Sequence, residues 1–371
     1  MLKVYKYRLF PTKRQTTVML QILEDCRWLY NYFLEERKNF WEDKKESLNY
    51  HAQAVSIVKL KKDKPALSNI HSQVLQNVAV RVDLAFKAFF RRIKAKEKSG
   101  YPRFKGRGRY DSFTFPQTGF EITNNGLRLS KIGTVKIKLH RELLGEIKTC
   151  TIQRYSTGKW YTCFSVEYQN NPLPKSDKAV GIDVGLESFA TFSTQDKIDN
   201  PRFFKTDEKA LAKAQKKLSK QTNGTPERKK TKKIVAHIHQ RISNRRHNFI
   251  HQETRKIVNR FGIICIEKLN IKNMMNNQTK IFGHKLNKSI TDVAWNQFAN
   301  VLSHKAAEAG RQFIAIDPRG TSQICSQCGS IVKKELSNRW HDCPICNAHL
   351  HRDYNASLNI LRFGMESLAL A

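Results

Sequence analysis

The sequence predicts a multidomain α+β protein: an N-terminal β-barrel with an inserted helical bundle, then an α/β domain that a four-cysteine knuckle interrupts near its end. Three observations carry that expectation. Within residues 1–171 the apolar period changes from alternating to helical and back again. Beyond a Pro-rich stretch, short runs of Val, Ile and Gly of the buried-strand type each hold or end in a carboxylate. Finally, Cys325, Cys328, Cys343 and Cys346 form two Cys-x-x-Cys pairs shortly before Asp353.

Taken in order, residues 1–10 read as a strand carrying Val4, Tyr5, Tyr7 and Leu9, stopped by Pro11. From Thr12 to about Trp41, Val18, Ile22, Cys26, Leu29 and Phe33 recur at helical spacing. From about Asn69 to Lys98, Val74, Val78, Val82, Phe86, Phe89 and Ile93 share one face, with Lys and Arg opposite. Gly100 and Pro102 end the helical block. Alternation then returns in Val135, Ile137 and Leu139 and in Thr162, Phe164, Val166 and Tyr168, with Asn125-Gly126 and Thr157-Gly158 as hairpin dipeptides. These residues predict a barrel from 1–11 and 100–171, with a helical insert over 12–99. Between them Tyr101 and Phe104 are interleaved with Arg103, Lys105, Arg107 and Arg109, a mixture suited to stacking bases and holding phosphates. On a loop the same residues equally describe a mobile basic surface.

Asn171, Pro172, Pro174 and Ser176 read as a linker. Ala179 to Gly185 is a buried-type strand holding Asp183, and Ser188 to Ser193 is the second arm of a hairpin. A long basic helical region runs from about Thr206 to Arg260, broken near Asn223-Gly224-Thr225-Pro226. Gly262 to Glu267 is another apolar strand ending in a carboxylate. The segment from Ile271 to Lys288, rich in Asn and Lys, reads as a lid or as a plain surface loop. Asp292 to Ala309 predicts one amphipathic helix, with Trp295, Phe298, Leu302 and Ala306 inward and Gly310 as its cap. Phe313 to Ile316 is one more strand, followed by the knuckle, and Tyr354 to Phe363 is a final helix.

In the knuckle, a two-residue gap lets two thiolates of one turn address the same ion, and two such turns complete a tetrahedral shell. Gly329 follows one pair and Pro344 lies inside the other, as tight turns require. Two disulfides would suit a secreted protein, but the N-terminus does not resemble a cleavable signal and Cys26, Cys150, Cys163 and Cys265 are scattered singly. A structural Zn²⁺ is the reading, ahead of disulfides or a redox pair, and His341, just before Cys343, is a neighbour of the ligands or a substitute for one.

Charge bounds the partner. Lys and Arg number 67 against 32 Asp and Glu, a formal net charge of +35 spread over the whole chain. No apolar run is long enough to span a bilayer, and no membrane partner is expected. An excess of this size attracts a polyanion, and nucleic acid in a reducing compartment is the expectation.

The carboxylates point to chemistry. A charge inside a strand such as that of Asp183, or at the end of one such as Glu267, costs several kcal/mol unless it is paired or metal-bound. Taken singly, each could be an ion pair with a neighbouring Lys or Arg. Taken with Asp353, they are three acids from separate segments able to converge at one end of a central sheet. Such a set could hold two divalent ions roughly 3.5–4 Å apart, Mg²⁺ or Mn²⁺ by oxygen preference, as an RNase H-like nuclease does. Glu187 and Asp317 are nearby alternatives of lower rank.

Gly181-Ile182-Asp183-Val184-Gly185-Leu186, Ile266-Glu267-Lys268-Leu269-Asn270, the four cysteines and Arg352-Asp353-Tyr354-Asn355-Ala356 together resemble the transposon-encoded TnpB family, relatives of type V CRISPR effectors. Tyr5-Lys6-Tyr7-Arg8-Leu9-Phe10-Pro11-Thr12 and Gly100-Tyr101-Pro102-Arg103-Phe104-Lys105 extend the resemblance to the N-terminus. It implies a wedge β-barrel with a recognition insert, a RuvC-like nuclease domain over 178–320, a zinc-ribbon insert over 321–350 and a RuvC-like C-terminal segment over 351–371. It also implies an RNA-guided DNA endonuclease of an insertion sequence. Such a protein would bind a guide RNA from the transposon end, cut double-stranded DNA beside a short motif, and support transposon retention. Asp183, Glu267 and Asp353 become the catalytic, magnesium-binding carboxylates, and Cys325, Cys328, Cys343 and Cys346 the zinc ligands. His351 stands where members often carry an acid, which puts an accessory metal contact there in doubt. The implied setting is the prokaryotic cytoplasm, at the nucleoid, as a monomer. The competing readings are a nuclease-silent RNA-guided repressor and a transposase or resolvase acting without a guide.

Overall fold

Residues 1–276, 283–335 and 338–370 are described in the computed structural model, and the chain divides into two units, Met1–Gln169 and Asn170–Ala371. In the first, β1 (Leu2–Phe10) is followed by three helices, α1 (Lys13–Lys44), α2 (Tyr50–Asp63) and α3 (Ser72–Lys94). Six strands follow: β2 (Ser112–Phe115), β3 (Phe120–Thr123), β4 (Gly126–Leu129), β5 (Gly133–Lys138), β6 (Glu146–Arg154) and β7 (Trp160–Glu167). The seven strands form one sheet in the order β2-β6-β7-β1-β5-β4-β3. Its two edge strands, β2 and β3, are consecutive in the chain and joined by residues 116–119 alone. Laid flat, seven strands would separate their outer edges by about 29 Å, whereas so short a connection reaches about 15–20 Å. The sheet therefore curls into a near-closed barrel, with the Phe115 and Phe120 rings of the two edge strands 6.4 Å apart.

Thr12 starts α1 with a capping box: its side chain accepts the Gln15 amide while the Gln15 side chain accepts the Thr12 amide. Ile22, Cys26, Leu29 and Phe33 of α1 and Val74, Val78, Val82 and Phe86 of α3 join Tyr5, Tyr7, Leu9, Phe164 and Val166 in one core. The predicted faces overreach at their ends: Val4, Ile93 and Leu139 are exposed. The hairpin at Asn125-Gly126 also needs correction. Asn124 and Asn125 make the turn, and Gly126 already pairs with Thr123 as the first residue of β4. Glycine is needed there because a Cβ would stand 2.5 Å from the Val135 carbonyl oxygen.

The second unit begins with β8 (Ala179–Asp183), β9 (Ser188–Phe192) and β10 (Lys197–Asp199), followed by α4 (Phe203–Ser219) and α5 (Pro226–Arg260). Next come β11 (Ile263–Glu267), α6 (Ile271–Asn276), α7 (Gly283–Val293), α8 (Trp295–Glu308) and β12 (Gln312–Ile316). The hairpin β13 (Trp340–Asp342) and β14 (His349–His351) leads into α9 (Arg352–Ala369). The sheet order is β10-β9-β8-β11-β12. The pairs β10/β9 and β9/β8 are antiparallel, whereas β11 runs parallel to both β8 and β12.

Period two sorts the faces of this sheet. Val180, Ile182, Ile264 and Ile266 pack with Ile250, Ile257 and Val258 of α5 and Phe298 and Leu302 of α8. The opposite face carries Cys265 and Ile316 against Ile360 of α9. The single helix expected from Asp292 to Ala309 is two helices, because Ala294 adopts a left-handed φ of 57° between α7 and α8. Asp292 is occupied there, accepting the Phe204 amide at 2.9 Å and pairing with Arg246 at 2.7 Å. Of the segment expected as a lid or loop, α6 and the start of α7 are helical, and residues 277–282 lie outside the described ones. Among the described residues, no helix is long and apolar enough to cross a membrane.

Candidate active site and four-cysteine cluster

β8 and β11 are parallel neighbours with Ile182 beside Ile266, so the next residues, Asp183 and Glu267, end the two strands side by side. Each lies two positions beyond a residue facing α9, Gly181 and Cys265, and therefore points to that same face. The third acid comes from α9 itself. His351 caps the helix, its Nδ1 accepting the Asp353 amide at 3.3 Å, and Asp353 falls in the first turn. His351 thus acts as the cap of this helix terminus.

Glycine lets the helix come this close. A Cβ on Gly181 would stand 2.1 Å from the Ser357 carbonyl oxygen, and one on Gly364 would stand 2.2 Å from the Cys265 Sγ. With both bare, α9 lies against β8 and β11 and its first turn reaches the strand ends. A Cβ on Gly185 would lie 3.9 Å from Asp353 Oδ2, which puts that carboxylate beside the turn leaving β8.

The electrostatics follow from this crowding. Burial pushes the Asp183 carboxyl well above the usual carboxylate range, and the charges of Glu267 and Asp353 push it further. The Arg352 guanidinium and the Val184 amide oppose the shift without cancelling it. Burial also raises Glu267, against the Thr321 hydroxyl that donates to its Oε1 at 2.5 Å. Arg352 Nε stands 3.2 Å from Asp353 Oδ1. The three acids converge without closing on one another: the four cysteines are the one group of three or more potential ligands among the described residues whose donor atoms all lie within 4.8 Å. Two half-buried carboxylates whose ionisation is disfavoured, beside a third that is buried, fit a hard divalent cation by donor chemistry. The alternatives ranked below them are otherwise engaged, Glu187 with Arg339 at 3.2 Å and Asp317 with Arg319 at 3.8 Å, all well exposed.

The cysteines fit a different ion. The Sγ atoms of Cys325 and Cys346, and those of Cys328 and Cys343, are 3.6 Å apart. A tetrahedral Zn²⁺ with bonds of about 2.3 Å sets its sulfurs about 3.8 Å apart. Ser330 Oγ lies 3.0 Å from Cys328 Sγ and 3.2 Å from Cys343 Sγ. Its hydroxyl, with backbone amides, holds the Cys343 thiol down to about 6, while the crowded neighbouring thiols push Cys346 up to about 12. The cluster could hold a zinc ion. His341 is buried with its Nδ1 against Lys334, outside the cluster.

Sequence reasoning missed the link between the two sites. Asn355 and Asn359, both fully buried, hold the start of the knuckle to α9. Asn355 Nδ2 donates to the Ile324 carbonyl at 2.8 Å and its Oδ1 accepts the Ser326 amide at 2.9 Å, while Asn359 Nδ2 donates to Thr321 and Ile324 carbonyls. The available signal was their i, i+4 spacing in the final helix. The strap at 101–109 belongs to the first unit and the three acids to the second. Tyr101, Arg103, Phe104, Arg107 and Arg109 are exposed, and Lys105 is half-buried. The strap is pinned to α1: Asn31 accepts the Lys105 amide at 2.7 Å, and Arg27 and Asn31 both donate to the Lys105 carbonyl at 3.0 Å.

This is the fold of the compact RNA-guided effectors. The chain superposes on the mini-RNA-guided endonuclease CRISPR-Cas phi3 with a TM-score of 0.51, covering 98% of this chain and 92% of that one at 10% identity. Within that class, the chain belongs to the TnpB family. It is 32% identical to a "Putative RNA-guided DNA endonuclease" of Streptomyces pristinaespiralis over 99% of this chain and 90% of that protein. It is 29% identical to the "Putative RNA-guided DNA endonuclease InsQ" of Escherichia coli K12, over 99% and 94% respectively. Family models match at residues 163–278 (OrfB of IS605, "Probable transposase") and 295–360 (Cas12f1-like, TNB domain). A third, described as a helix-turn-helix domain, matches residues 1–46. That description does not fit this chain, where the segment is strand β1 and the single 32-residue helix α1.

Proposed function

We propose that this chain is the RNA-guided DNA endonuclease of an insertion sequence, cutting DNA beside a short adjacent motif and so supporting retention of the element. Asp183, Glu267 and Asp353 are its catalytic carboxylates. The observation that carries this is their convergence, from β8, β11 and α9, at one end of one sheet. An order of three antiparallel strands followed by two parallel ones also supports an RNase H-like domain of RuvC type over 178–320 and 351–371. The names of the relatives support the guided activity.

In this reading the three acids hold Mg²⁺ or Mn²⁺, whose chemistry is to neutralise charge at the scissile phosphodiester and acidify a water. Arg352 orients Asp353, and the packing of α9 keeps that acid within reach of the strand ends. Zn²⁺ in the cysteines is structural and steadies the ribbon, 321–350. The barrel (1–11, 100–171) and helical insert (12–99) grip the guide RNA. The strap offers Tyr101 and Phe104 for stacking and Arg103, Lys105, Arg107 and Arg109 for phosphates, on a backbone held to α1 rather than left loose.

RNA that copurifies with the chain should contain a segment from the transposon end, and a target matching its guide should be cut when Mg²⁺ is present. Asp183→Ala should abolish cutting while guided binding persists. Cutting by that variant would sink the assignment of the acids. Cutting without RNA would mean a resolvase, and guided binding without cutting by the wild type would mean a silent repressor.

A further inference from the structure

Glu267 ends β11 with its carboxylate held by a side chain that the chemistry above does not use. The Thr321 hydroxyl donates to Glu267 Oε1 at 2.5 Å across 54 positions of sequence. The Pro318 carbonyl is a second acceptor for the same hydroxyl at 3.1 Å. A hydroxyl has one proton to donate, and an ionised carboxylate takes it in preference to a neutral carbonyl.

Thr321 is itself fixed. It is 2% exposed, and its carbonyl accepts Asn359 Nδ2 at 2.9 Å. The same Asn359 nitrogen donates to the Ile324 carbonyl at 2.6 Å, which Asn355 Nδ2 also reaches at 2.8 Å. Asn355 Oδ1 in turn accepts the amide of Ser326, the residue after Cys325. A continuous run of hydrogen bonds thus leads from the cysteine knuckle through α9 to Thr321 and ends on Glu267. The helix that supplies both asparagines also carries Asp353 in its first turn.

A loop threonine with a purely structural task would be satisfied by the Pro318 carbonyl, and its contact with an acid at the centre of the site would have no purpose. We propose that Thr321 is a positioning residue for Glu267: it holds the carboxylate by one oxygen so that the other addresses the catalytic cation. The asparagine latch on the knuckle in turn holds Thr321. This rests on the assignment of Asp183, Glu267 and Asp353 as the metal site.

The test compares Thr321→Ser with Thr321→Ala, which differ by the hydroxyl alone, in the full-length zinc-loaded chain freed of RNA. Mn²⁺ binding is read by electron paramagnetic resonance. The Ser variant should bind within about twofold of wild type and the Ala variant about tenfold or more weakly, the usual cost of losing a partner behind a metal ligand. The Mg²⁺ concentration for half-maximal cleavage of a guided target should rise in the same proportion for Ala alone. Equal Mn²⁺ binding by the two variants would overturn the proposal. So would loss of zinc from the Ala variant, since Thr321 would then serve the ribbon. Asp183→Ala is the reference: if it too binds Mn²⁺ like wild type, the metal site itself has been misassigned and the fault does not lie with Thr321.

Discussion

At Asp183 burial, Glu267 and Asp353 all oppose ionisation, and the Arg352 guanidinium and Val184 amide answer them only in part. The pKa in the folded chain stands above the ordinary 3.8. The folded state therefore binds this proton more tightly than the unfolded one, and without divalent metal stability falls as pH rises from the ordinary value through the raised one. Asp183→Asn removes that penalty. In metal-free buffer near neutral pH, the variant should melt about 2–4 °C higher, which is what ~1 kcal/mol gives in a unit of roughly 150–250 residues. The gap should narrow as pH is lowered toward the ordinary value of 3.8 and close below it, where Asp183 is protonated in both states. Mg²⁺ should raise the wild-type midpoint and leave the variant's unmoved. Equal midpoints at every pH would mean that the site stores no strain.

Among the elements, α9 joins the two halves of the site, and a glycine sets its seating. Gly364 sits inside a helix, where replacing Gly by Ala ordinarily gains about 1 kcal/mol. Here a Cβ would meet Cys265 Sγ at 2.2 Å and Cys265 Cβ at 2.8 Å. Gly364→Ala should therefore lower both the melting point and the cleavage rate, and adding Cys265→Ala should recover part of each. Additive losses in the double variant would show that the two residues do not meet. How far such elements could be read beforehand depended on where their partners lie. Asp183 and Glu267 were legible because an acid in an apolar strand is anomalous within its own few residues, and the cysteines because their spacing is local. The helix α2 escaped notice because its apolar residues do not share a face: Ile57 and Leu60 are buried while Val55 and Val58 are exposed. The break at Ala294 was invisible because alanine signals no left-handed turn, so the apolar period ran on across it. Thr321 and Asn359 are ordinary polar residues in sequence, and what makes them functional candidates is a carboxylate and a loop brought to them by the fold.

At the scale of the whole molecule, 67 basic residues face 32 acidic ones, and some of the acids are already committed to ion pairs. Asp207 of α4 holds both Arg241 and Arg245 of α5, and Asp292 holds Arg246. The remaining cations repel one another over a distance of about 10 Å at 0.1 M salt. Added salt screens that repulsion, so the chain without RNA should gain stability as salt rises. Bound RNA reverses the sign, because cations seated on phosphates release counterions and their affinity falls with salt. An interface of about 6–10 phosphates loses roughly 10³–10⁵ in affinity between 50 and 200 mM salt. Across that range the melting midpoint of the RNA-free chain should climb while that of the guide complex drops, and the two should converge. Limited proteolysis should follow the same course, with the basic segments protected by RNA at low salt and cut alike in both samples at high salt. If both midpoints moved in the same direction, the net charge of +35 would be a solvated surface and not a nucleic-acid interface.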